Sequence, residues 1–340
     1  MNSNALINRP IYVVGAGGIG TVMAWCLIKV GESVTVVETN QNKINHGNKH
    51  GLLISGHGSV MAKLIQFDEW QPEANSLILL CTKTYTNAQV LEKIPADATL
   101  LPVQNGFDPL LDASDHTAEG IVSFVSECDL NTTKTRITRQ GEFHLGPRHK
   151  VTHGDITYLS QLAAQLRKTK LFPVSLVDDI NPYKYSKLMY NAAISPLAAS
   201  AGVDNSELLN HPIAKILFVA LLKENYLILK QAGLDLEKVG PIHPDLVYQI
   251  LKHPIVINLF SLFFKPSLRG SYCSMAPDIH TDKTEIDAYN GHLVTLAGDF
   301  PCPINRAAID MVKSIVDNHS APGIQHLISL HEALPKGVLN

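Results

Sequence analysis

The sequence predicts an α/β N-terminal domain with a mostly parallel sheet, followed by an all-α C-terminal domain. In the first half, short β-rich runs alternate with helical patterns, as in PIYVVGA, TVMAWCLIKVG and SVTVVET, and this alternation is typical of βαβ units. A last strand is expected at FPVSLVDD, after the helical GDITYLSQLAAQLRKTK. Beyond it, strand patterns are almost absent and long helical segments are separated by Pro and Gly. We therefore expect two domains, residues 1–179 and 180–340.

The composition indicates a folded protein with a small-molecule ligand. The chain has 340 residues, of which 45% are hydrophobic, so it can bury a large core. Its net charge is -3 and its 28 Lys and Arg residues are scattered, so it lacks the basic field that nucleic acid or an anionic membrane would need.

The cysteines and the apolar runs bear on location. The five cysteines are far apart and form no CxxC pair, a pattern that fits neither a disulfide framework nor a zinc site. We therefore predict no metal and a reducing, cytoplasmic location. The N-terminus lacks a signal-peptide pattern. The apolar run at 255–264 is about half of the ~20 residues that a membrane span requires, so no membrane association is expected.

A glycine-rich turn follows the first predicted strand. Gly15, Gly17 and Gly20 in GAGGIG fit the G-x-G-x-x-G template, with a strand before them and a helix after them. The first glycine permits a tight turn, the second lets the backbone approach a pyrophosphate, and the third lets the helix pack on the strand. The pyrophosphate is then held by the N-terminus of the helix. This predicts a Rossmann domain that binds a dinucleotide.

Glu38 ends the next predicted strand and bears on the choice of dinucleotide. A carboxylate there accepts hydrogen bonds from a ribose 2'-hydroxyl and repels a 2'-phosphate, which favours NAD(H). The alternative is a solvated carboxylate that only ends the strand.

Two further loops follow strands, with Lys83 in CTKTY and Asn105 in VQNG. Each is a candidate cofactor or substrate contact, and each is equally compatible with ordinary turn chemistry.

Two polar groups mark the helical half. Lys187, Asn191 and Ser195 are spaced four residues apart and share one helix face; the stripe either faces solvent or lines a ligand cleft. Ser274 and Glu285 stand where helices are expected to begin, and capping alone would explain both.

Together these motifs resemble the ketopantoate reductase (2-dehydropantoate 2-reductase) family along nearly the whole chain. The matching pieces, in order, are VGAGGIG, CTKTY, VQNG, GEFHLGP, KLMYNAAISPLAA, SM before KTEIDAYNG, and PCPINRAAIDMV. The resemblance implies an N-terminal Rossmann domain, a C-terminal helical substrate domain, and an active site between them.

The resemblance also implies roles for the candidate residues. Lys187 would be the general acid and Glu285 a second catalytic carboxylate. Substrate would be bound by Asn105, Asn191, Ser195 and Ser274. Cofactor would be bound by Gly15, Ala16, Gly17, Gly18, Ile19, Gly20, Glu38, Lys83, Asn105 and Glu285. Ser195 stands where many members carry Asn, and the 249–270 insert is longer than in compact members.

The resulting hypothesis is NAD(P)H-dependent reduction of a 2-oxo acid, most simply 2-dehydropantoate to pantoate in pantothenate and coenzyme A biosynthesis. The family's usual cofactor is NADP(H), whereas Glu38 favours NAD(H). Alternatives are reduction of another branched 2-oxo acid, an opine-type dehydrogenase, or a dinucleotide sensor without turnover. A homodimer is compatible with the resemblance.

Overall fold

The computed structural model describes residues 9–148, 157–253, 270–335 and 337–339. The chain divides into two compact units. The first comprises the residues up to Gln104 together with Pro109–Asn181, and the second comprises Asn105–Asp108 together with the residues from Pro182 onward. The short segment that carries Asn105 therefore belongs to the second unit, although the chain on both sides of it belongs to the first.

A five-stranded parallel sheet forms the centre of the first unit. Its strands are β1 (Ile11–Val14), β2 (Val34–Glu38), β5 (Lys63–Gln66), β6 (Leu77–Leu80) and β7 (Thr99–Pro102), in the spatial order β5-β2-β1-β6-β7. Every neighbouring pair is parallel, and Ile11 of β1 is in register with Val34 of β2 and Leu77 of β6. β1 and β6 are wholly buried, as expected of parallel strands covered on both faces. The predicted Rossmann-type sheet is confirmed.

Two smaller sheets complete the strands of the first unit. One has the order β4-β3-β10-β9, from β3 (Leu52–Ile54), β4 (Gly58–Val60), β9 (Val125–Cys128) and β10 (Lys134–Arg139). The other has the order β12-β11-β8, from β8 (Ala118–Val122), β11 (Phe143–Pro147) and β12 (Val174–Leu176). The run GIVSFVS, which reads as one strand, is divided between β8 and β9 and so contributes to both sheets.

Helices cover the sheets of the first unit. They are α1 (Gly18–Lys29), α2 (Gln41–His50), α3 (Asn87–Leu91), α4 (Pro109–Asp112) and α5 (Thr157–Lys168). Every residue of α1 from Gly20 to Leu27 is buried. Because an isolated surface helix would bury only one face, α1 is an internal helix, and its N-terminus is fixed firmly above β1.

The described part of the second unit is helical and contains no strand. Its helices are α6 (Asn181–Ala201), α7 (Asn205–Leu208), α8 (Pro212–Gln231), α9 (Pro244–Leu251), α10 (His292–Ala297), α11 (Pro303–Asp317) and α12 (Ile324–Ala333). Directly before α10, Asp287–Gly291 form a π-helical turn. The all-α prediction is thus confirmed for the described residues. Of the 249–270 insert, residues 254–269 lie outside the described residues.

Helix starts in the second unit differ in one place from the expectation. Ser274 caps no helix; it lies in a turn before a 3₁₀ turn at Asp278–His280, and its hydroxyl is used elsewhere. Glu285 directly precedes the helical segment that begins at Ile286 and ends at Ala297. Gly298 follows with a φ of 54° and a ψ of -117°, a backbone conformation that glycine adopts readily.

Candidate active site

The turn between β1 and α1 has the geometry that its glycines predict. Gly15 has a φ of +96°, and a Cβ there would lie 2.8 Å from the Thr82 side chain. A Cβ on Gly20 would lie 1.8 Å from the carbonyl oxygen of Gly15. Since real atoms do not approach so closely, only glycine lets α1 pack against the turn at this position.

The second glycine of the motif leaves the turn open. Gly17 is the N-cap of α1, and a Cβ built on it would meet nothing within 4 Å. The first N–H groups of a helix have no intrahelical acceptor, so this open end attracts an anion. The turn therefore fits the diphosphate of a dinucleotide, with room above Gly17 and donors at Gly18 and Ile19.

Glu38 is anchored at the end of β2. Its Oε2 accepts a hydrogen bond from the N–H of Ala16 at 2.9 Å. Its Oε1 accepts from the N–H groups of Thr39 at 2.7 Å and Asn40 at 3.0 Å. A carboxylate held by three backbone donors is not simply solvated. It is fixed beside the glycine turn, where it retains lone pairs for a further donor such as a ribose hydroxyl.

An open cleft lies beside this carboxylate. Its apolar wall includes Val14, Val37, Phe67 and Val90, and Glu38 is the charged residue on it. No Lys or Arg side chain lines this part of the described first unit. The cleft therefore suits an adenosine moiety, and its charge is unfavourable for a 2'-phosphate.

The two post-strand loops behave differently. Lys83 is half-buried and precedes a 3₁₀ turn at Thr84–Thr86. The carbonyl of Lys83 accepts two hydrogen bonds from Thr86, one from the N–H at 3.1 Å and one from the hydroxyl at 2.8 Å. The turn chemistry considered for this loop is therefore present. Asn105 lies in the segment that belongs to the second unit, and its Oδ1 is buried with no hydrogen-bond partner in the described residues. Such an atom is suited to a ligand donor.

Phe107 anchors the Asn105 segment within the second unit. Its N–H donates to the carbonyl of Ala288 at 3.0 Å, and its ring stacks on Tyr185 and His292 at centroid distances of 4.8 and 4.3 Å. The buried Lys184 places its Nζ 4.3 Å from the same ring centroid, a cation–π contact. Asn105 is thereby held two residues from a rigid aromatic stack.

The polar stripe of α6 is neither exposed nor uniform. Lys187 and Asn191 are half-buried, and Ser195 is buried. The thiol of Cys273 donates to the carbonyl of Ser195 at 3.5 Å, so the chain that leads into Ser274 packs on this part of α6. A solvated stripe is therefore not what the structure contains.

Ser274 and Glu285 are brought together by a tyrosine that sequence reasoning missed. The hydroxyl of Tyr289 donates to Oε2 of Glu285 at 3.2 Å and lies 2.8 Å from Oγ of Ser274. Burial, and then the charge of Glu285, hold the pKa of Tyr289 well above its ordinary value, so the hydroxyl keeps its proton. The signal available in the sequence was its spacing, four residues after Glu285 on a predicted helix.

A second missed contact connects α6 to the π-helical turn. Pro196 lies inside α6 and has no N–H, so it cannot donate to the carbonyl of Ala192 four residues earlier. The buried Asn290 fills that place, because its Nδ2 donates to the Ala192 carbonyl at 2.8 Å. The helix that carries Lys187 and the turn that carries Tyr289 are therefore joined at one point.

Asn290 is itself part of a buried polar network. Its Nδ2 also donates to Oδ1 of Asn305 at 2.8 Å, and Nδ2 of Asn305 donates to Glu224 and Asn225, each at 2.8 Å. Nδ2 of Asn225 donates a hydrogen bond to the carbonyl of Met189 in α6, at 2.9 Å. Burial raises the pKa of Glu224, and hydrogen bonds from the start of α11 oppose that rise. The network fixes α6 at two carbonyls that flank Asn191 in sequence.

The chain matches known proteins over both halves. Models described as Ketopantoate reductase PanE/ApbA and as its C-terminal part match residues 11–154 and 179–316. The chain belongs to the ketopantoate reductase family. Members act on small-molecule keto acids with NAD(P), and this chain is an NAD(P)-dependent oxidoreductase of the 2-dehydropantoate 2-reductase type that acts on CH–OH groups.

Individual relatives are similar in sequence, and solved structures are similar in fold, over nearly the whole chain. The 2-dehydropantoate 2-reductase of Pyrococcus horikoshii is 25% identical over 317 residues, which cover 89% of this chain and 96% of the relative. A D-mandelate dehydrogenase determined with NADH and anilino(oxo)acetate has a TM-score of 0.72 at 20% identity, covering 91% of this chain and 99% of that one. A PanE/ApbA family ketopantoate reductase from Ralstonia eutropha has a TM-score of 0.70 at 19% identity, covering 92% and 100%.

The described residues contain neither a membrane-spanning helix nor a cluster of metal-binding side chains. No helix there is long and apolar enough to span a membrane. No group of three or more His, Cys, Asp and Glu side chains there is arranged to hold a metal ion. No disulfide joins the cysteines, all of which lie among the described residues.

Proposed function

We propose that this chain reduces 2-dehydropantoate to pantoate, with NADH as the preferred reductant. Support for the substrate comes from family membership over both halves and from relatives named 2-dehydropantoate 2-reductase. The observation that carries the proposal is the polar cluster of the second unit, in which Ser274, Tyr289 and Glu285 are hydrogen-bonded in series. Lys187 and Asn191 share a half-buried face of α6 in that unit.

The glycine turn and its neighbours would hold the cofactor. Backbone N–H groups at Gly18 and Ile19 would bind the diphosphate, and Glu38 would accept from the adenosine ribose. The dinucleotide, when bound, would supply a hydride to the carbonyl carbon of the substrate. The preference for NADH rests on Glu38 and on the absence of a cation from the lining of the cleft in the described first unit.

The residues of the second unit would complete the reaction. As hydride adds to carbon, negative charge develops on the ketone oxygen, and Lys187 would donate the proton that converts it to the hydroxyl. Asn191, Ser195, Ser274 and Asn105 would fix the orientation of the substrate. These roles make residues 1–179 the cofactor domain and 180–340 the substrate domain, with Asn105 as the exception.

Glu285 would serve Lys187 as a second carboxylate in the active site and would also contact the cofactor. A carboxylate near an ammonium favours its charged form, so Glu285 would keep the general acid protonated. Lys83 would contact the cofactor from the loop after β6. A homodimer and a cytoplasmic location stay predictions.

Reduction of a different 2-oxo acid is the second candidate. It is favoured by the likeness in fold to a D-mandelate dehydrogenase. The purified protein should be assayed with 2-dehydropantoate, 2-oxo-3-methylbutyrate and phenylglyoxylate, each with NADH and with NADPH. We expect the highest kcat/KM for 2-dehydropantoate with NADH.

A higher kcat/KM for phenylglyoxylate would identify the second candidate instead. A higher value with NADPH would contradict the role of Glu38. Binding of either cofactor without turnover of any 2-oxo acid would indicate a dinucleotide sensor.

A further inference from the structure

A lysine is buried behind the glycine turn. Lys43 lies in the first turn of α2 and is 7% exposed. Its Nζ donates a hydrogen bond to the carbonyl of Ala16 at 2.9 Å. Ala16 lies between Gly15 and Gly17, so the ammonium contacts the turn that leads directly to the N-terminus of α1.

Among the described residues, the ammonium of Lys43 has no ion-pair partner. Within the described residues, no carboxylate lies within salt-bridge distance of it, and its one hydrogen-bond acceptor is the neutral carbonyl of Ala16. Asp129 is fully exposed. Hydrogen bonds account for most of the lowering of its pKa, and the charge of Lys43 contributes least to it. Burying an unpaired ammonium is unfavourable, so this arrangement needs a compensating negative charge.

Glu38 and Lys43 hold the same residue from opposite sides. Glu38 accepts from the N–H of Ala16 and Lys43 donates to its carbonyl, each at 2.9 Å, while the hydroxyl of Thr21 donates to that carbonyl at 3.1 Å. The carboxylate that suits the ribose would by itself repel a diphosphate at the neighbouring helix N-terminus. The ammonium on the other side of Ala16 offsets that repulsion.

We propose that Lys43 is a determinant of dinucleotide affinity that acts on the diphosphate. It shapes the turn through Ala16, and its charge attracts the diphosphate, which in return supplies the missing counter-charge. This inference rests on the proposed binding of a dinucleotide at the glycine turn. It assigns Lys43 a positioning and electrostatic role, separate from the chemistry of hydride transfer.

The test separates the charge of Lys43 from its hydrogen bond. Lys43→Gln keeps a donor for Ala16 without the charge, and Lys43→Met removes both. Lys49→Met is the matched control, because Lys49 is exposed on the same helix. Binding of ADP, adenosine and NADH to each full-length protein is measured by calorimetry, with far-UV circular dichroism as the check on folding.

We expect both Lys43 variants to bind ADP and NADH on the order of 10-fold more weakly, since a unit charge acting at short range through an effective dielectric of about 20 is worth at least that factor. Adenosine, which has no phosphate, should bind within about twofold of wild type, as should all three ligands to Lys49→Met. ADP binding by Lys43→Gln within about twofold of wild type would overturn the inference, as would a parallel loss of adenosine. Failure of the wild-type protein to bind either ADP or NADH would instead overturn the proposed function.

Discussion

Asn290 provides the sharpest test of how α6 is fixed. It is fully buried, and its amide donates to the Ala192 carbonyl and to Asn305, both at 2.8 Å. In Asn290→Ala both acceptors lose this donor. The helix cannot replace it at Ala192, because the nitrogen four residues later belongs to Pro196.

The expected cost follows from these contacts. Leaving a buried acceptor unpaired costs about 1–3 kcal/mol, and the truncated side chain leaves a small cavity as well. We therefore expect Asn290→Ala to lower the free energy of unfolding by about 2–4 kcal/mol. Native proteins have about 5–15 kcal/mol available, so the variant should still fold.

The assay is urea unfolding followed by far-UV circular dichroism, which reports on the helices. Both tryptophans, Trp25 and Trp70, lie in the first unit, so their fluorescence reports on that unit in the same titration. The measurement is repeated in a Pro196→Ala background, where the restored backbone N–H can donate to Ala192. The cost of Asn290→Ala should then fall by about 1 kcal/mol. Additivity of the two substitutions within about 0.5 kcal/mol would refute the reasoning.

Three further predictions concern the glycine turn, the Tyr289 hydroxyl and the buried His292. Gly20→Ala would place a Cβ 1.8 Å from the Gly15 carbonyl oxygen, so we expect at least ~10-fold weaker NADH binding and a lower Tm. Gly17→Ala is the control and should keep the wild-type Tm, because its Cβ would meet nothing within 4 Å. Equal Tm values for the two variants would contradict the packing argument. Tyr289→Phe removes the hydroxyl that bridges Ser274 and Glu285. We expect kcat to fall about 10-fold and the affinity for NADH to stay unchanged. Wild-type kcat and KM would show that the bridge is dispensable. Burial, and to a smaller extent the charge of a nearby lysine, lowers the pKa of His292 to about 4. The unfolded histidine takes up its proton near pH 6.5 and the folded one only near pH 4. The free energy of unfolding should therefore fall as the pH drops between these values. His292→Phe should reduce this loss of unfolding free energy by about 1–3 kcal/mol. If Tm depends on pH in the variant as it does in the wild type, His292 is not the cause.

Much of the first unit could be predicted because its signals are local. The strand, glycine turn and helix of GAGGIG are fixed by the spacing of glycines and by buried β-rich runs, and β1 and α1 lie where that pattern predicts. The hairpin of β3 and β4 escaped notice. Each of these strands has three residues and β4 is largely exposed, so neither shows the alternation by which strands are recognised. Its signal was the Gly56–Gly58 turn between two short β-rich runs.

The candidate site was predictable where one helix face carries it, and not where distant segments meet. The spacing of Lys187, Asn191 and Ser195 needs only the period of a helix. The contact of Asn290 with Ala192 joins residues 98 positions apart, and no local pattern specifies such a pair. Pro196 was the available clue, since a proline inside a helix frees a carbonyl that some other group must satisfy.

The central claim is that Lys187 donates the proton in an NADH-dependent reduction of a 2-oxo acid. Its most direct test is the kcat of Lys187→Ala with 2-dehydropantoate and saturating NADH, with Lys230→Ala, an exposed lysine of α8, as the matched control. We expect kcat to fall ~10²-fold or more for Lys187→Ala, with NADH affinity and Tm retained, and we expect wild-type turnover for the control. A kcat for Lys187→Ala within about threefold of wild type would contradict it.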